Sequence, residues 1–156
     1  MKKTIFLLCV SVLASCSKSD KPIGGFSYSL DLNITLKNST GDDLLGTPNY
    51  NPTDIKIYNR INGQAVEVYN PAAGAPRNFM IITETTPKRM RLFPNDAENE
   101  LYPITYIQWN ATDTDTIMTH YAKGENYKIC DAAWLNGEPI IFDSSTTMSR
   151  EFTIVK

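Results

Sequence analysis

The stretch Phe26-Ser27-Tyr28-Ser29-Leu30-Asp31-Leu32-Asn33-Ile34-Thr35-Leu36-Lys37 decides the fold. Every even position from 26 to 36 is apolar, and every odd position from 27 to 37 is polar. A period of two sends alternate side chains to opposite faces of an extended chain. A helix would scatter the same residues around its circumference. The stretch is therefore expected to be one strand with one buried face.

The rest of the chain follows the same logic. Ile55 to Tyr58 and Val66 to Tyr69 flank Asn62-Gly63, and both residues of this pair accept the positive φ of a type I′ hairpin turn. A two-residue loop there pairs Ile61 with Gln64, Asn59 with Val66 and Ile57 with Val68. Ile57 and Val68 then share one face, opposite to Tyr58 and Glu67. Between Lys37 and this hairpin, Asn38 to Asp54 reads as a long connection from which Leu44 and Leu45 plug the end of the core. Asn70 to Asn78 and Pro94 to Glu100 read as loops. Phe79 to Thr83, Met90 to Phe93, Thr114 to Tyr121, Tyr127 to Leu135, Glu138 to Phe142 and Arg150 to Val155 read as strands. Tyr102 to Trp109 is apolar on both parities and is expected to be a central strand. A second Asn-Gly, at 136–137, suggests another hairpin. A two-residue loop there would set Asp131 opposite Phe142, so a longer loop is expected. No helical period is sustained. The expected fold is all-β: an antiparallel β-sandwich of about eight to ten short strands.

The 156 residues fit one domain, and a chain of this size can bury a core without a metal or a disulfide. The 42% apolar content excludes wholesale disorder. Residues 1–15 read as a signal segment. Lys2 and Lys3 supply a positive start, and Thr4 to Ala14 is an apolar run too short to span a hydrocarbon core. Leu13-Ala14-Ser15-Cys16 looks like a bacterial lipobox, whose small residues admit the peptidase and whose cysteine takes the diacylglycerol. Lipid on Cys16 is the only prosthetic group expected, and two or more acyl chains hold a protein stably on a membrane. Residues 16–25 are then a lipidated tether and 26–156 the sandwich domain. Without Lys2 and Lys3, 13 of the 15 basic side chains face 17 acidic ones. No basic excess remains to neutralise phosphates, so nucleic acid is not an expected partner.

Reactive residues are few. Cys9 leaves with the signal and Cys16 carries lipid, so Cys130 is alone and reads as a small buried strand residue. His120 is the single histidine, and without a Gly-x-Ser-x-Gly elbow it reads as an ordinary strand residue. Asp96, Glu98 and Glu100 share one loop, and Asp113 and Asp115 another. Alternate carboxylates suit Ca²⁺, although solvated loops explain them more simply. No spacing argues that paired carboxylates cleave a glycoside. Lys88, Arg89 and Arg91 form a compact basic run, expected to be one solvated strand face. Tyr58, Tyr69 and Trp109 are the aromatic candidates for ligand contact, since exposed rings stack on sugars and anchor interfaces.

Gly41-Asp42-Asp43-Leu44-Leu45, Asp115-Thr116-Ile117 and Asn136-Gly137, taken with the lipobox and the first strand, carry a resemblance. The chain looks like the small lipoproteins of the Bacteroidetes. That resemblance implies an immunoglobulin-like or transthyretin-like sandwich and no known activity, so no catalytic or cofactor-binding residue is carried over. It also implies a cell-envelope location, lipid-anchored at the outer membrane. Such lipoproteins often reach the cell surface by acidic residues after the cysteine. Here only Asp20 is acidic, between Lys18 and Lys21, so the periplasmic and surface sides both stay open. Three functions follow in order: a non-catalytic binding or accessory module for a glycan or protein partner; an adhesion or fimbria-like component that accepts a partner strand; and a small hydrolase.

Overall fold

The computed structural model describes residues 25–142 and 150–156. The signal segment 1–15, Cys16 and the tether as far as Gly24 lie outside the described residues. No helix among the described residues is long and apolar enough to cross a membrane.

Two sheets pack face to face. One has the order β1 (Ser27–Ser29), β9 (Tyr127–Leu135), β8 (Thr114–Gly124), β7 (Ile104–Gln108), β3 (Lys56–Ile61), β4 (Gln64–Glu67), and β10 (Glu138–Pro139) also pairs with β9. The other has the order β11 (Glu151–Val155), β2 (Leu32–Lys37), β6 (Arg89–Leu92), β5 (Phe79–Ile82). Between them lies a single apolar cluster. Leu32, Ile34 and Leu36 of β2 and Met90 and Leu92 of β6 meet Ile57, Ile107 and Ile117 of the larger sheet.

The first strand departs from its sequence pattern in an informative way. Leu32, Ile34 and Leu36 are fully buried, as the period-two rule requires. Phe26 and Tyr28 follow the same parity yet are exposed. The stretch is two strands, not one. β1 runs parallel to β9 at the edge of the larger sheet, and after Leu30-Asp31 the chain crosses to lie between β11 and β6 in the smaller one. At an outer edge no neighbouring strand covers the ring of Tyr28. The expected antiparallel sandwich is corrected on the same ground: β1 with β9 and β11 with β2 are parallel pairs, and the sheets are mixed.

The first hairpin has the expected register, Tyr58 opposite Glu67 and Ile61 opposite Gln64. Its turn residues Asn62 and Gly63 have φ of 50° and 82°. The second Asn-Gly corrects an expectation. Asn136 and Gly137, at φ 52° and 90°, form the same tight two-residue turn and pair Glu138 with Leu135. No longer loop is needed, because β10 stops at Pro139, before the pattern would set Asp131 against Phe142. Leu45 is fully buried and Leu44 packs against the core. The loop is pinned by Asp43, whose carboxylate accepts the N–H groups of Leu45 and Lys88, both at 3.0 Å.

The sandwich has two distinct ends. Chain entry at Phe26 and the β8–β9 turn lie at one, because Ser27 pairs with Tyr127. Lys37, Lys156 and the β7–β8 connection lie at the other, joined by Lys156 N–H to Lys37 C=O at 2.9 Å. Removal of Ile34, enclosed by both sheets, tests this core. Ile34→Ala should cost about 3 kcal/mol in urea unfolding, by lost burial and an unfilled cavity. A cost near zero would mean that the sheets do not enclose it.

Candidate functional site

Directly paired residues share a face of a sheet, so the registers assign the solvent face of the larger sheet. Tyr58, Tyr106 and Thr116 form one row across β3, β7 and β8. Ile104, Met118 and Trp134 form the next across β7, β8 and β9. Tyr58 Oη donates to Gln108 Oε1 at 2.9 Å. Tyr58, Ala65, Tyr106, Gln108 and Thr114 line a shallow depression of ≈ 300 Å³.

A second cluster adjoins these rows. The Tyr102 ring meets Trp134 edge-on at 5.7 Å and lies over His120 at 5.4 Å. His120 Nδ1 is 2.7 Å from Asp131 Oδ1. Their meeting has a local cause. The β8–β9 ladder shifts register between His120 and Tyr121, so that Ala132 faces His120 while Cys130 faces Tyr121. Asp131 is the extra residue of a bulge. Among the described residues no serine, threonine or cysteine hydrogen-bonds the imidazole. The face combines ring surfaces with amide, hydroxyl, imidazole and carboxylate groups, a set suited to binding.

The aromatic candidates separate. Tyr58 belongs to this face. Tyr69 is exposed, two residues past the end of β4. Trp109 is a correction: it is fully buried, and its indole N–H donates to Asp115 Oδ2 at 2.7 Å, so it presents no surface to a ligand. Tyr106, Tyr102 and Trp134 are further rings on this face that sequence reasoning did not single out. The parity of 102–109 held a signal, since Tyr106 must face away from Thr105 and Ile107.

The carboxylates gather around ammonium groups. Lys128 is inward-facing and almost fully buried, and its Nζ donates to Asp96 Oδ2 at 3.0 Å and Glu98 Oε1 at 2.6 Å. Burial opposes the charge of Lys128, but these two partners outweigh it and raise its pKa. Hydrogen bonds from Lys123 and Lys128 hold Glu98 down to about 2. Glu100 lies 3.6 Å from Arg60. At the far end, Lys156 Nζ is 2.7 Å from both Asp113 Oδ1 and Asp115 Oδ2. Asp115 also accepts Asn136 Nδ2 at 2.8 Å. Burial alone would push Asp115 up; the Lys156, Asn136 and Trp109 hydrogen bonds more than offset it and leave its pKa lowered. Asp96, Glu98, Asp113 and Asp115 thus each give an oxygen to an ammonium group. Among the described residues the buried Glu100 Oε2 accepts no hydrogen bond, and no three His, Cys, Asp or Glu side chains converge for a metal. The basic run is likewise paired: Lys88 with Asp43 at 3.9 Å, Arg89 with Glu151, and Arg91 with Asp31 at 2.9 Å.

Cys130 is buried on β9, and burial pushes its thiol up to about 12, far from a thiolate at neutral pH. Comparison with protein families, characterised proteins and solved structures finds no match to this chain.

Two outcomes test these assignments. A carboxylate with a depressed folded pKa contributes stability above its ordinary value of 3.8 and loses it as the pH falls through the lower folded value. Asp115→Asn should therefore cost about 2 kcal/mol at neutral pH and flatten the acid loss of stability below about pH 4, read from urea midpoints against pH. Equal acid slopes in the two proteins would refute the role given to Asp115. In Cys9→Ala/Cys16→Ala protein, where Cys130 is the sole thiol, a disulfide reagent should react in urea but not in buffer. Rapid native labelling would contradict the burial.

Proposed function

We propose that the chain is a lipid-anchored protein of the bacterial cell envelope, held at the outer membrane through Cys16. Its sandwich acts as a non-catalytic binding module for a glycan. The observation that carries this reading is the solvent-facing row Tyr58–Tyr106 beside Trp134 and Tyr102 on one rigid sheet. A sugar ring has an apolar C–H face and a rim of hydroxyls. Aromatic faces suit the first. Gln108, Thr114, Thr116, His120 and Asp131, on or beside the same rows, suit the second. A sheet holds such groups with little motion, which keeps the entropic cost of binding low. The Leu13-Ala14-Ser15-Cys16 box and the resemblance to Bacteroidetes lipoproteins support the anchor.

An adhesion component built by strand exchange would need a first strand that can be withdrawn. β1 is a three-residue edge strand, but the chain runs on directly into β2, which sits between β11 and β6 and supplies Leu32, Ile34 and Leu36 to the core, so withdrawing the whole first stretch would open the sandwich. This geometry favours the binding module.

Affinity electrophoresis through gels containing soluble polysaccharides tests the proposal. Wild-type protein should be retarded by at least one. Tyr106→Ala and Trp134→Ala, with unchanged circular dichroism, should each bind about tenfold more weakly, equivalent to ~1.4 kcal/mol. Failure of every polysaccharide and oligosaccharide to bind, or retardation equal in wild type and both variants, would remove the glycan reading.

A further inference from the structure

The corner where the chain enters the sandwich carries an aromatic patch separate from the sheet face. Phe26 is 50% exposed, Tyr28 66% and Tyr127 43%. The Phe26 and Tyr28 rings lie 4.4 Å apart, and Ser27 between them pairs with Tyr127 across β1 and β9. The Tyr127 ring lies so close over Gly124 that a Cβ there would fall 2.2 Å from it, so its place depends on that glycine. By this register Tyr127 shares a face with Ser27 and Tyr28 with Lys128, so the Phe26–Tyr28 pair and the Tyr127 ring flank opposite faces of the same sheet edge at one tip of the sandwich.

Two observations indicate what covers them. The first is reach. Nine residues, 17–25, separate Cys16 from Phe26, and at ~3.3 Å each they extend at most about 30 Å. A lipid on Cys16 therefore keeps this corner within about 30 Å of the bilayer, nearer than the tether lets the far end come when it is fully stretched. The second is chemistry. Tyrosine rings are apolar bodies with a polar tip, which suits the boundary between headgroups and acyl chains. The lysines of this end, Lys123 and Lys128, are already paired with Glu98 and Asp96, and Glu125 adds a negative charge at the turn. Among the described residues these lysines are thus satisfied, and the net positive charge of Lys18, Asp20 and Lys21 belongs to the tether, so the folded corner's own contact rests on the rings.

We propose that Phe26, Tyr28 and Tyr127 insert into the headgroup region of the membrane that holds Cys16. This inference rests on the lipid-anchor reading and extends it: the anchor gains a protein contact, and the domain gains an orientation. The sandwich stands on its β8–β9 corner. The far end, with Pro48, Asn49 and Lys156, points away from the bilayer. The aromatic rows of the larger sheet then rise along the side of the domain, open to a glycan arriving laterally.

Full-length lipidated protein in phosphatidylcholine vesicles, spin-labelled at Glu125→Cys or at Asn49→Cys, tests this. Collision with oxygen reports proximity to acyl chains, and collision with a water-soluble nickel complex reports exposure. Fatty-acid incorporation and co-sedimentation with vesicles are measured first; their absence overturns the anchor reading, and the contact with it. With the anchor present, the label at 125 should be several-fold less accessible to nickel than the label at 49. In the Phe26→Ser/Tyr28→Ser/Tyr127→Ser protein, still lipidated and folded by circular dichroism, the two labels should become alike. Equal nickel accessibility in the wild-type background, or shielding at 125 that survives the triple substitution, overturns the aromatic contact while leaving the anchor intact. Phosphatidylglycerol added to the vesicles should not increase the shielding; an increase would mean that charge, not the rings, makes the contact.

Discussion

The buried carboxylate of Asp115 is the constraint on which the two-sheet arrangement depends. It sits on the inner face of β8 and accepts hydrogen bonds from Trp109, Asn136 and Lys156. A carboxylate withdrawn from water without such partners would cost several kcal/mol. Each partner comes from a different part of the chain. Trp109 follows β7, Asn136 forms the turn after β9, and Lys156 follows β11 in the other sheet. One ionised group therefore fixes the far end of both sheets at once, and the Asn136 side chain extends the lock by accepting the Thr116 N–H at 2.8 Å.

The opposite end is closed by a second inward cation. Lys128 reaches past Tyr121 to the Asp96–Glu98 loop, its Nζ 5.3 Å from the Tyr121 ring centre. The apolar layer between the sheets is thus stoppered at each end by an ion cluster whose members satisfy one another. Four of the acids that looked like candidate calcium ligands, Asp96, Glu98, Asp113 and Asp115, are used in this way; Glu100 stands apart beside Arg60. Two aromatic surfaces remain in solvent: the outer face of the larger sheet, with its rows of rings, and the entry corner with Phe26, Tyr28 and Tyr127. The two surfaces are separate, so the proposed membrane contact and the proposed glycan site do not compete for the same residues.

How much was legible in the residues depends on the range of the interaction. The burial of Leu32, Ile34 and Leu36, the register of the first hairpin and the plug formed by Leu45 all rest on local rules: a period of two, positive φ at Asn-Gly, and an apolar residue with no other way to leave water. Asp115 could have been read as inward from its parity with Ile117 and Thr119, though its partners could not. Trp109 and Tyr106 illustrate the limit. A strand apolar on both parities does not say which face is the core, and the inner choice made Trp109 a core residue and Tyr106 a surface one. The bulge that brings Asp131 to His120 leaves no mark in the residues at all.

Composition and periodicity by themselves determined that the chain is an all-β sandwich, with the rough place of most strands though not the break within 26–37 or the early end of β10, and that Cys16 follows a lipobox pattern. Those properties follow from each residue's own preferences and its near neighbours. Tertiary structure decided the crossing of the first strand between sheets, the parallel pairings, the partners of every buried charge and the membership of the aromatic face. Each of these depends on which strand lies beside which. That choice is settled by the summed burial and hydrogen bonding of residues far apart in the chain, and no local pattern encodes it.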